Sequence, residues 1–96
     1  MILEHVILPV KTGDEAAFEA ALKQALPLIE RQPGFGGLEI RSALETRGAY
    51  LLCVKWESVS AHRDGFRQSA DYQQWRALLH HFYDPMPTVT YFGEAL

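Results

Sequence analysis

Hydrophobic and polar positions change period along this chain, from two to about three and a half and back, and each change marks an element. Between Ile2 and Val10 the alternation predicts a strand, with Glu4, Val6, Leu8 and Val10 on one face and His5, Ile7 and Pro9 on the other. Both faces are mostly apolar. Thr12 to Glu15 has the spacing of a capping box, so a helix is predicted from there to about Arg31. Phe18, Ala21, Leu22, Ala25 and Ile29 form its buried stripe. Pro27 lacks an N–H and crowds the preceding turn, which predicts a kink or an early end. Pro33-Gly34 is a turn, and Phe35 to Leu44 reads as a second strand, whose Gly36-Gly37 pair predicts a bulge or a close backbone approach. Glu45 to Gly48 is a hairpin loop into a third strand, Ala49 to Trp56.

Beyond Trp56 the period is helical. Ser58 and Ser60 can each accept the orphan N–H groups of a starting helix, predicted to run to about Gln68. A regular helix there puts His62 and Phe66 on one face, with Ser69 close by. Ser69 caps a second piece, Ala70 to Tyr83, in which Tyr72, Trp75, Leu79 and Phe82 form an apolar stripe that Asp84-Pro85 stops. Thr88 to Phe92 is the last strand. The order β-α-β-β-α-β predicts an α+β fold of the ferredoxin-like kind, an antiparallel sheet with both helices on one face. Helices cover only that face. Strands apolar on both sides then predict a homodimer, in which the second face packs against the same face of another copy. With no repeat, low-complexity tract or linker, residues 1–96 read as one domain.

Composition narrows the function. A formal net charge of -3 argues against a nucleic-acid or anionic-membrane partner, since both need a basic field. Cys53 is the only cysteine and lies in an apolar strand, which predicts a buried, inert thiol and a reducing compartment. Glu4 and His5 interrupt the apolar start, no signal-peptide cleavage pattern follows, and no run approaches membrane-spanning length. The expectation is a soluble, cytoplasmic protein.

No Gly-x-Gly-x-x-Gly loop, Walker lysine motif or Cys/His metal spacing is present, so nothing announces a nicotinamide, flavin, nucleotide or zinc site. His80-His81 is no metal pair, because adjacent helical side chains point about 100° apart, and both read as surface or interface residues. Glu15, Glu19, Glu30, Glu39 and Glu45 are scattered and form no carboxylate pair.

The strand ending Trp56-Glu57-Ser58, followed by Ala61-His62, Phe66, Ser69, Tyr72 and Trp75, then Val89 to Phe92, resembles the antibiotic biosynthesis monooxygenase family. The Pro33-Gly34-Phe35 step fits the same pattern. The resemblance implies a dimeric α+β barrel. It also implies a cofactor-free oxygenase using molecular oxygen on a substrate that supplies its own electrons, such as a quinol, an anthrone or another electron-rich phenol. Such chemistry needs a pocket, a base and donors for the resulting anion. His62 is the candidate base, the one imidazole beside the strand-to-helix junction, although a histidine there can also do no more than hydrogen-bond locally. Arg67 and Tyr72 are the candidate anion stabilisers. Phe66, Trp75 and Tyr91 are candidates for an aromatic wall, and equally for plain core. His5 sits where relatives place a pocket residue, and alternation alone leaves it facing either the pocket or the dimer interface.

Two other readings stay open. One is a non-catalytic dimer that holds an apolar small molecule. The other is haem degradation, whose enzymes use an Asn on the first strand with a Trp and a His on the later helix. Here the first strand has no Asn, Phe66 stands at the Trp position, and the His position falls near Arg76.

Overall fold

A computed structural model describes all 96 residues. Strand β1 (Ile2–Pro9) leads to helix α1 (Glu15–Glu30), then to strands β2 (Phe35–Ser42) and β3 (Ala49–Trp56). Helix α2 (Ala70–Leu79) and strand β4 (Val89–Phe92) complete the chain. The four strands are antiparallel in the order β2-β3-β1-β4, the ferredoxin-like arrangement predicted from the element order.

Alternation in β1 fixes which side chains look at the helices. Val6, Leu8 and Val10 are buried in one core with Phe18, Leu22, Ala25 and Ile29 of α1 and Trp75 and Leu79 of α2. Glu4, in step with these valines and leucine, is buried beside them. The odd-numbered set of β1 lies on the open face of the sheet, where Ile7 and Phe92 are each 50% exposed. His5 is on that face too, edge-on to Phe92. Cys53, its register partner on β3, is half-buried there and not enclosed as expected, because the helices cover only the other side.

Several local expectations meet a competing interaction. The N-cap of α1 is Asp14, not Thr12, and Glu15 reaches back only to the Gly13 N–H, so no capping box forms. Pro27 sits inside α1, which continues to Glu30. Buried Leu28 and Ile29 anchor that last turn against the core. Strand β2 stops at Ser42, two residues before the predicted end. The expected bulge does form at Phe35/Gly37, where Gly37 takes φ +130°, a conformation that favours glycine.

The segment predicted as regular helix after Ser58 is different. Residues Ala61–Gly65 make a π turn and Phe66–Gln68 a 3-10 turn, after which Ser69 caps α2 by accepting from the Tyr72 N–H at 3.1 Å. At the start, the Ser58 hydroxyl accepts from the Ala61 N–H, whereas Ser60 bonds Asp64 instead of the backbone. Gly34, at φ +84°, lets α1 turn into β2 directly against this segment, since a Cβ there would lie 2.8 Å from that of Ala61. Its carbonyl also accepts from the Glu57 N–H at 2.8 Å, tying the junction down. Helix α2 ends at Leu79, and a 3-10 turn over His80–Phe82 replaces its predicted last turn. No helix is long and apolar enough to cross a membrane.

Candidate active site

Where β1, β4 and the irregular 61–68 segment meet α2, the core opens into a cavity of about 340 Å³. This is near the lower end of the size range of small-molecule sites, about 300–1,000 Å³. Its walls include Val6, Leu8, Phe66, Trp75 and Val89, so most of the lining is apolar. Polar groups converge at a few points only.

His62 is one of them. The π turn adds a residue to the helical repeat, yet His62 and Phe66 still face inward together, their rings 6.3 Å apart. His62 is 4% exposed. Its Nδ1 lies 2.6 Å from the Tyr91 hydroxyl, and its Nε2 lies 3.4 Å from Glu4 Oε1. The same Glu4 oxygen accepts from the Trp56 indole N–H at 2.8 Å. Sheet register assembles this group. Glu4 is the direct partner of Tyr91 across β1 and β4, and Trp56, paired with Ile2, stands one pleat along on β3.

The electrostatics follow from burial. Enclosure pushes the His62 imidazole down to about 4, and the nearby Arg67 guanidinium adds to that, so the ring is neutral at physiological pH. Burial raises the Glu4 carboxyl, opposed by the Trp56 N–H and by Arg67. Burial likewise raises the Tyr91 phenol, with the Glu4 charge in the same sense and Arg67 and Arg63 opposing. Arg67 is exposed at the cavity edge and bonds no carboxylate.

Of the residues singled out in the sequence, His62, Phe66, Arg67, Tyr72, Trp75 and Tyr91 all line this one cavity. His5 does not, because the pleat turns it to the opposite side of the sheet. Among the lining residues not singled out in the sequence, two titratable ones stand out. His80, expected at the surface or an interface, is half-buried against Tyr72 and Tyr83, and burial lowers its pKa. Glu4 is the other. A carboxylate in phase with the apolar side of a strand was the signal that could have found it.

Comparison with known proteins places the chain in a family and matches its fold. Residues 1–78 match the family model of antibiotic biosynthesis monooxygenases. YczJ of Bacillus subtilis, itself uncharacterised, is 44% identical over 94 residues, covering 98% of this chain and 99% of that protein. A crystal structure of a Bordetella bronchiseptica protein, provisionally assigned as an antibiotic biosynthesis monooxygenase, superposes with a TM-score of 0.93 at 39% identity. The match covers 99% of this chain and 97% of that one. SnoaB of Streptomyces nogalater, a cofactor-independent oxygenase, has a TM-score of 0.82 at 17% identity, covering 99% of this chain and 94% of its own. That likeness is one of fold.

Proposed function

Because the chain belongs to the antibiotic biosynthesis monooxygenase family, we propose that it is a cofactor-independent monooxygenase acting on a small, electron-rich aromatic substrate such as a quinol or an anthrone. The observation that carries this reading is the neutral, buried His62 in an apolar cavity whose edge holds an unpaired cation, Arg67. A neutral imidazole has a lone pair to accept a proton, and an apolar cavity strengthens any charge interaction inside it. The fold shared with SnoaB supports the cofactor-free chemistry.

In this reading, proton removal gives a substrate anion electron-rich enough to reduce oxygen directly. One oxygen atom replaces two hydrogens of the substrate, and the other leaves with those hydrogens as water. His62 is the base side of the site, Arg67 and Tyr72 stabilise the anion, and Phe66, Trp75 and Tyr91 bound the flat substrate. The protein works as one domain and as a homodimer, with the open face carrying Leu3, Ile7, Leu51 and Phe92 covered by a second copy. His5 belongs to that interface. We place it in the cytoplasm, where the single thiol of Cys53 stays reduced.

The test is product analysis with hydroquinones, naphthols and anthrones under isotopically labelled oxygen. Enzyme-dependent product carrying one labelled atom is expected, and no product beyond the uncatalysed rate overturns the reading. One observation favours a second reading. An imidazole pushed down to about 4 is a weak base, as suits a module that holds an apolar molecule without turning it over. Ligand stabilisation without oxygen consumption, unaltered in His62→Ala, selects that alternative.

A further inference from the structure

One ring nitrogen of His62 is hydrogen-bonded, the other faces a carboxylate, and the ring is enclosed. Nδ1 is hydrogen-bonded to the Tyr91 hydroxyl at 2.6 Å, and Nε2 lies 3.4 Å from Glu4, so His62 borders the cavity with little surface of its own and with its bonded nitrogen behind Tyr91. A molecule in the cavity meets Tyr91, half-buried on the cavity wall. Glu4 is itself held by the Trp56 indole, a residue with no exposed surface.

We propose, resting on the monooxygenase reading above, that Tyr91 is the proton-transfer group in contact with the substrate and that Glu4 is the positioning residue that makes it so. In this proposal the Glu4 carboxylate, 3.4 Å from Nε2, favours the Nε2–H tautomer and so leaves the Nδ1 lone pair aimed at the Tyr91 O–H. When substrate binds, its acidic proton passes to the Tyr91 oxygen while the Tyr91 proton passes to Nδ1. The substrate becomes an anion, His62 becomes an imidazolium, and Tyr91 is again a phenol. The new positive charge then sits between the Glu4 carboxylate and the substrate anion. Glu4 thereby offsets what burial and Arg67 impose on a charged His62. The tyrosine is more than a wall.

The groups that face His62 define the pH response. Glu4 comes from β1, Tyr91 from β4, and Arg63 and Arg67 from its own segment, while Trp56 of β3 does not titrate. Tyr72 of α2 and His80 beyond it line the same cavity. Proton transfer to Tyr91 therefore fails on the acid side when Glu4 is protonated.

The experiment uses the full chain with nitrogen-labelled histidine, read by NMR without any ligand. His62 is expected as the Nε2–H tautomer, with a hydrogen-bonded Nδ1 that becomes unbonded in Tyr91→Phe. A proton on Nδ1 in the wild type overturns the relay. In parallel, 4-nitrophenol serves as probe, because its phenolate absorbs in the visible. Bound at a pH below its own pKa, it is expected to ionise in the wild type. Its phenolate-to-phenol ratio should fall by about tenfold or more, one pKa unit, in Glu4→Gln and in Tyr91→Phe. Equal ionisation in Glu4→Gln overturns the role of Glu4. The tautomer decides the relay even where the probe is not held. Absence of oxygen consumption, with tautomer and probe behaving as expected, overturns the oxygenase reading and leaves the relay standing.

Discussion

Glu4 Oε1 lies 3.4 Å from His62 Nε2 at the base of the cavity, with only 6% and 5% of the two side-chain surfaces exposed. A carboxylate and an imidazole so enclosed are costly to charge separately, and each responds to the protonation of the other. In the proposed relay this pair sets the pH dependence and the proton path, so stability and chemistry would be coupled through the same two groups.

The first consequence concerns acid stability. The folded His62 titrates near 4, below the ordinary histidine value of 6.5, so the unfolded chain binds the extra proton across that window. Stability is therefore lost as pH falls from 6.5 toward 4. Glu4, raised by burial, works in the opposite sense, losing stability as pH rises above 4.5, so substituting His62 isolates the histidine contribution. Melting temperature against pH should drop on the acid side in the wild type and drop less in His62→Phe. Parallel curves would contradict the assigned burial of a neutral His62.

Trp56 is the only tryptophan bonded to the site. Trp56→Phe removes the donor to a buried carboxylate and leaves a small void, which together should destabilise by about 2–4 kcal/mol in urea unfolding. Glu4→Gln keeps the acceptor and removes the buried charge, so its stability should stay within about 1 kcal/mol of wild type. Equal losses in the two variants would mean that Glu4 is held mainly by something other than the indole.

Much of this arrangement was legible in the sequence. The alternation of β1 placed Val6, Leu8 and Val10 correctly, the Gly36-Gly37 pair marked a real bulge, and Ser69 does cap α2. The spacing of His62 and Phe66 also put both into the cavity. The π turn under them was not legible, because Ala61–Gly65 carries no propensity that separates a widened turn from an α-helix. Its stability comes from the sheet end and Gly34 packed against it. Glu4 was legible as a residue of the apolar face, but its meaning needs β4 alongside β1, since Tyr91 of β4 pairs with Glu4 and bonds His62. His80, read as a surface or interface residue, instead lines the cavity from the 3-10 turn that replaces the predicted last turn of α2.

The open face gives a prediction about assembly. Ile7 and Phe92 are each half exposed there, and a charge at the centre of a buried interface costs far more than on a free surface. Ile7→Glu should convert a dimer to a monomer in size-exclusion chromatography with light scattering. A wild-type monomer, or a dimer indifferent to Ile7→Glu, would place the contact elsewhere.

The most direct test of the central claim is oxygen uptake by wild type and His62→Ala, side by side, against hydroquinones, naphthols and anthrones. General acid–base catalysis contributes about 10²–10⁴-fold, so uptake by the wild type and a loss of at least about 100-fold in His62→Ala are expected. Uptake that survives the substitution undiminished, or no uptake by either protein, would contradict a cofactor-independent monooxygenase working through His62.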